Sequence, residues 1–71
     1  MIKYDKLFDI LRKRGLGQNK FCVDNSISTS QLQRLRQNQV VYTSTLDTIL
    51  KALDLDSLDD ISEFINDDKN N

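Results

Sequence analysis

Residues 28–38 read STSQLQRLRQN, and the interpretation of the whole chain turns on them. The only apolar residues there, Leu32 and Leu35, stand three apart, so on a helix both face one way, toward a core. Ser30, Gln33, Arg34 and Gln37 recur at i, i+3, i+4 and i+7 on the opposite face. That stripe has no acid and consists of groups able to reach base edges or phosphates in a DNA major groove. Ser28 with Gln31 three residues later fits a reciprocal cap at the helix start. Asn38 tolerates the left-handed turn that ends many helices. The plain alternative is a solvated face with no partner, and the flanking segments decide between the two.

Just upstream, QNKFCVD (residues 18–24) is a short helical segment with Phe21 and Cys22 inward. At that length it persists only when packed. Asn25 and Ser26 form a turn, with Asn the better suited of the two to positive φ, and Ile27 is an apolar plug. Two short helices joined by a tight turn make a helix-turn-helix unit. Further upstream, Tyr4, Leu7, Phe8 and Leu11 complete one apolar helix face. Arg12, Lys13 and Arg14 suit the negative end of its dipole, and Gly15 is a natural stop.

Downstream, Val40, Val41 and Tyr42 read as a compact apolar connection. Leu46, Ile49, Leu50 and Leu53 repeat the helical period, with Thr43 or Ser44 as the cap. Ser57 and Asp60 stand at capping-box spacing before Leu58, Ile61, Phe64 and Ile65. The spacing therefore predicts an all-α domain of five helices, at about 4–14, 18–24, 29–38, 44–53 and 58–66, with no sheet. Residues 1–66 form the domain, and 67–71 are expected to fray because they have nothing apolar to bury.

The chain has 71 residues, 30% of them charged, and a net charge of −1. A chain this short buries only about 60% of its unfolded surface, which favours close helix packing or association. The charge is split. Residues 1–46 carry eight bases and three acids, whereas residues 47–71 carry two bases and eight acids. A basic half facing an anionic partner, with the acidic half held away from it, fits that division. No apolar run is long enough to span a membrane, and the first residues lack the pattern of a signal peptide. A lone Cys22 excludes an internal disulfide, fits a reducing cytoplasm, and is expected in the core.

No site for catalysis emerges. There is no His, no metal-ligand set, no Gly-rich phosphate loop and no nucleophile with a base. Asp54, Asp56, Asp59 and Asp60 lack the glycine and terminal glutamate of a calcium loop. Neither a cofactor nor a small-molecule substrate is expected.

The helix count, the core spacing of Phe21, Cys22, Ile27, Leu32 and Leu35, and the segment LDTILKALDL resemble the Cro/repressor-type helix-turn-helix domain of phage and bacterial regulators, a lambda-repressor-like fold. The resemblance runs from about Tyr4 to Ile65. It departs from the family in the turn, where Asn25 and Ser26 replace the usual apolar residue and Gly. The resemblance implies a sequence-specific DNA-binding regulator, read as a repressor, with double-stranded DNA as partner. It implies that Thr29, Ser30, Gln33 and Arg34 read bases, while Gln18, Lys20, Ser28, Gln37 and Arg14 meet phosphates. Arg36 projects sideways, toward a phosphate or Asp24. A weak homodimer is expected, through the last helix or residues 40–42. The competing reading is a protein-interaction module on the same fold, whose acidic half docks a basic partner.

Overall fold

A computed structural model describes residues 1–66. The element order is β1 (Ile2–Lys3), α1 (Asp5–Lys13), α2 (Gln18–Asp24), α3 (Thr29–Arg36), α4 (Thr43–Leu53), a 3-10 turn (Leu58–Asp60) and β2 (Glu63–Phe64). The expected tail at 67–71 lies outside the described residues.

Each of the four helices contributes its apolar stripe to one core: Leu7 and Leu11 from α1, Phe21 and Cys22 from α2, Leu32 and Leu35 from α3, Ile49 and Leu53 from α4. Tyr4, Ile27 and Ile61 complete it from the connections. Burying a side chain of that size stabilises by roughly 1.5–3 kcal/mol before entropy is counted, so the periodic leucines and isoleucines are the main source of cohesion.

All four helices end in the same way. Gly15, Ser26, Asn38 and Asp54 each adopt φ between 57° and 70°. In each case the next residue's N–H reaches back over a full turn: Leu16 to the Leu11 carbonyl, Ile27 to Cys22, Gln39 to Arg34 and Leu55 to Leu50, all at 2.8–2.9 Å. This double-bonded ending satisfies carbonyls that a helix C-terminus otherwise leaves open, and it turns the chain sharply with few residues. In the turn between α2 and α3 the left-handed residue is Ser26 rather than Asn25, whose φ is −110°. Asn25 instead donates from its side-chain amide to the Phe21 carbonyl at 2.8 Å.

The expected fifth helix at 58–66 does not form, and the expectation of no sheet is corrected. Only residues 58–60 coil. The chain then extends and pairs antiparallel with the N-terminus, Ile2 opposite Phe64 and Lys3 opposite Glu63. The cause is that one residue of the apolar stripe finds the core: Ile61 is fully buried, while Phe64 is 71% exposed. A longer helix would gain no burial to offset its ordering cost. The extended strand instead satisfies backbone groups of residues 1–3, and Ile65 N–H donates to the Met1 carbonyl at 2.7 Å. The Ser57–Asp60 capping box is present on the shorter turn.

Two smaller expectations also shift. α4 starts at Thr43, so its N-cap is Tyr42 rather than Thr43 or Ser44, and no side chain of that residue caps it. The 40–42 connection is not compact, because Val40 and Tyr42 are exposed and only Val41 packs on the core.

Candidate nucleic-acid interface

Ser28 begins the site. Its hydroxyl accepts from the Gln31 N–H at 3.2 Å and fixes the first turn of α3. The reciprocal half of the expected capping box is absent, because the Gln31 side chain turns inward. Its Oε1 accepts from Tyr42 N–H and from Thr45 Oγ1, both at 3.0 Å, and so ties α3 to the start of α4. Gln31 and Thr45 are buried polar residues that satisfy one another, as the low dielectric of a core requires.

With Leu32 and Leu35 buried, helical geometry sends the other side outward. Ser30, Gln33, Arg34 and Gln37 are all exposed along it, and Thr29 is exposed on its flank. Ser30 Oγ lies 3.2 Å from Ser28 Oγ, which pre-orients both hydroxyls at the helix start. Arg34 makes a 3.5 Å hydrogen bond to the Val40 carbonyl, at the outer limit for such a bond. Ser30, Gln33, Arg34 and Gln37 thus form an acid-free strip along α3, with Ser28 and Thr29 beside its start.

The flanking cations differ in how much charge they leave available. Lys20 Nζ lies 3.4 Å from Asp24 on the surface of α2. Arg14 donates to the Leu53 carbonyl at 2.9 Å, so it ties the end of α1 to the end of α4. Arg36, expected to find a phosphate or Asp24, donates from Nε to Gln18 Oε1 at 2.7 Å. Arg34 and Arg36 have no carboxylate partner among the described residues. Arg12 by contrast pairs with Asp9 and Lys51 with Asp47.

Beside α3, a cleft of about 220 Å³ opens between the helix-turn-helix turn and the start of α4, lined by Ser26, Ser28, Gln31, Ser44, Thr45 and Thr48 among others. Hydroxyls and amides there suit water or phosphate oxygens. Cys22 takes no part in the site. It is 5% exposed, and burial pushes its thiol pKa up against a smaller downward pull from Arg36. That combination describes an inert core residue.

Among the described residues no group of three His, Cys, Asp or Glu side chains could hold a metal ion. No described helix is long and apolar enough to cross a membrane.

Comparison with known proteins agrees with this geometry. No curated protein sequence gives a significant match. The crystal structure of the transcriptional regulator VanUg superposes with a TM-score of 0.81 at 27% sequence identity, over 87% of this chain and 81% of that one. The profile of the Cro/C1-type HTH DNA-binding domain matches residues 6–67. An exposed, acid-free second helix of a helix-turn-helix and a family match across most of the chain lead to one identification: this chain belongs to the Cro/C1-type helix-turn-helix DNA-binding domain family, whose function is non-enzymatic transcriptional regulation.

Proposed function

We propose that the protein is a sequence-specific repressor that lays α3 in the DNA major groove. Thr29, Ser30, Gln33 and Arg34 face base edges, and Arg34 is the main reader, since a guanidinium can bond guanine O6 and N7 together. Gln18, Lys20, Ser28, Gln37 and Arg14 line the adjacent phosphates. The observation that carries the reading is the outward strip of α3, which keeps hydrogen-bonding groups and an arginine without a carboxylate partner on one side. Repression needs only occupancy, since a domain seated across a promoter blocks polymerase. The protein works in the cytoplasm, where its DNA is.

A weak homodimer completes the reading, because two half-sites about one helical turn apart are the usual target of such domains. An apolar cleft of about 210 Å³ lined by Met1, Ile2, Tyr4, Asn38, Gln39 and Val40 offers a surface for it. The exposed Val40 and Phe64 side chains also favour a second reading, a protein partner as the main ligand.

Selection of bound sequences from a random duplex pool tests the proposal. Recovery of a palindrome supports a dimeric reader of specific bases. Recovery of no preferred sequence, with binding insensitive to salt, overturns it in favour of the protein partner.

A further inference from the structure

The Arg36–Gln18 pair makes a joint that the strip on α3 does not include. Arg36 lies at the last turn of α3 and Gln18 at the start of α2, 18 residues earlier, and the two meet through Nε and Oε1 at 2.7 Å. A guanidinium has donors only, so it must meet the oxygen of the Gln18 amide and leave the amide NH2 directed elsewhere. The guanidinium spends one of its five N–H groups on this bond. It has no carboxylate partner among the described residues. Lys20, the flanking cation on α2, stands beside Asp24.

We infer that Arg36 and Gln18 together form a clamp for one backbone phosphate of the bound duplex, in which Arg36 supplies the charge and also fixes the Gln18 amide with its NH2 outward as donor. The inference rests on the DNA-binding reading. It differs from a simple list of basic contacts in assigning the salt-sensitive phosphate contact on this flank to Arg36 and only a minor share to Lys20. A phosphate oxygen then receives one charge-assisted bond from the free guanidinium N–H groups and a second from the Gln18 amide. Both donors belong to opposite halves of the helix-turn-helix, so the clamp also registers α3 against the sugar-phosphate backbone.

Fluorescence titration of labelled duplex DNA across a salt series tests the clamp, with the full chain and its Arg36→Ala, Arg36→Lys, Gln18→Ala, Lys20→Ala and Arg36→Ala/Gln18→Ala variants, each first shown to be folded by circular dichroism. Arg36→Ala is expected to weaken selected and random duplexes alike by about tenfold, and to reduce the slope of log K against log salt by about one unit. Arg36→Lys should keep the slope but lose the coupling, and Lys20→Ala should change the slope by less than half as much as Arg36→Ala. Gln18→Ala should cost less in the Arg36→Ala background than in the parent, which is the signature of a coupled pair. An unchanged slope in Arg36→Ala, a larger effect from Lys20→Ala, or strict additivity of the Arg36 and Gln18 substitutions overturns the clamp while leaving DNA binding intact. If the parent chain binds no duplex at low salt, the DNA-binding reading falls, and the clamp with it.

Discussion

Thr45 donates its hydroxyl hydrogen to the side-chain oxygen of Gln31 at 3.0 Å inside the protein, and this bond ties α3 to the first turn of α4. The same oxygen also receives the N–H of Tyr42, so one amide joins the start of α4 to the first turn of α3. Gln31→Met keeps the volume and removes the acceptor. It should destabilise the domain by about 1–3 kcal/mol, the cost of leaving buried donors unmet. Urea denaturation measures it. Adding Thr45→Val should recover part of the loss, because the orphaned hydroxyl goes with it. A double variant no more stable than Gln31→Met would show that the hydroxyl bond matters little.

Arg34→Ala should cost about 1–3 kcal/mol on the preferred operator and relax preference at one base pair, with folding unchanged. Competition binding against a set of single-base operator variants provides the reading. A uniform loss across all variants would instead assign Arg34 to a phosphate.

Ser26 adopts φ 60° without the freedom of glycine. A left-handed conformation costs an L-residue about 1–2 kcal/mol, and glycine returns part of that gain through a freer unfolded chain. Ser26→Gly should therefore stabilise by about 0.5–1 kcal/mol. A thermal melt showing a lower midpoint would mean that the Ser26 hydroxyl contributes more than its backbone costs.

Burial raises the Cys22 thiol above its ordinary value of 9.0 and the Tyr4 phenol above 10.0. In both cases the fold prefers the neutral acid. The corresponding stability is complete below the unfolded value and is lost as pH rises through the folded one. Stability should thus be level near neutrality and fall from about pH 9 upward, first through Cys22 and then through Tyr4. Cys22→Ala should be less stable overall yet lack the first part of the fall. Denaturation midpoints across an alkaline series give the comparison, and identical slopes for parent and variant would remove Cys22 from the account.

The four helices were legible because each carries an apolar stripe at the helical period, and burial follows such stripes closely. Leu32 and Leu35 alone located the outward face of α3. The same period also places Gln31 one turn before Leu35, on the buried side, but its capping-box spacing from Ser28 suggested a different partner. The fate of residues 58–66 was not legible. A stripe of Leu58, Ile61, Phe64 and Ile65 states that a helix could be amphipathic, not that a core remains for it to cover. Only Ile61 found one, and the strand that replaced the helix depends on pairing with Ile2 and Lys3, about sixty residues away in sequence. The partners of Arg36 and Arg14 depend likewise on how helix ends meet, a distance that spacing along one helix does not encode.

The ribbon of β1 and β2 has a mechanical consequence. Its strands run antiparallel with Met1 beside Ile65, so both described ends of the chain emerge from the same side. A pull on these two ends loads the cross-strand bonds in sequence, like a zipper, rather than all together in shear. The ribbon should part at low force and deliver the strain next to Tyr4 and Ile61, the two core residues nearest to it. Under tension the domain should open from its ends inward, and α3 should be among the last elements to lose its place.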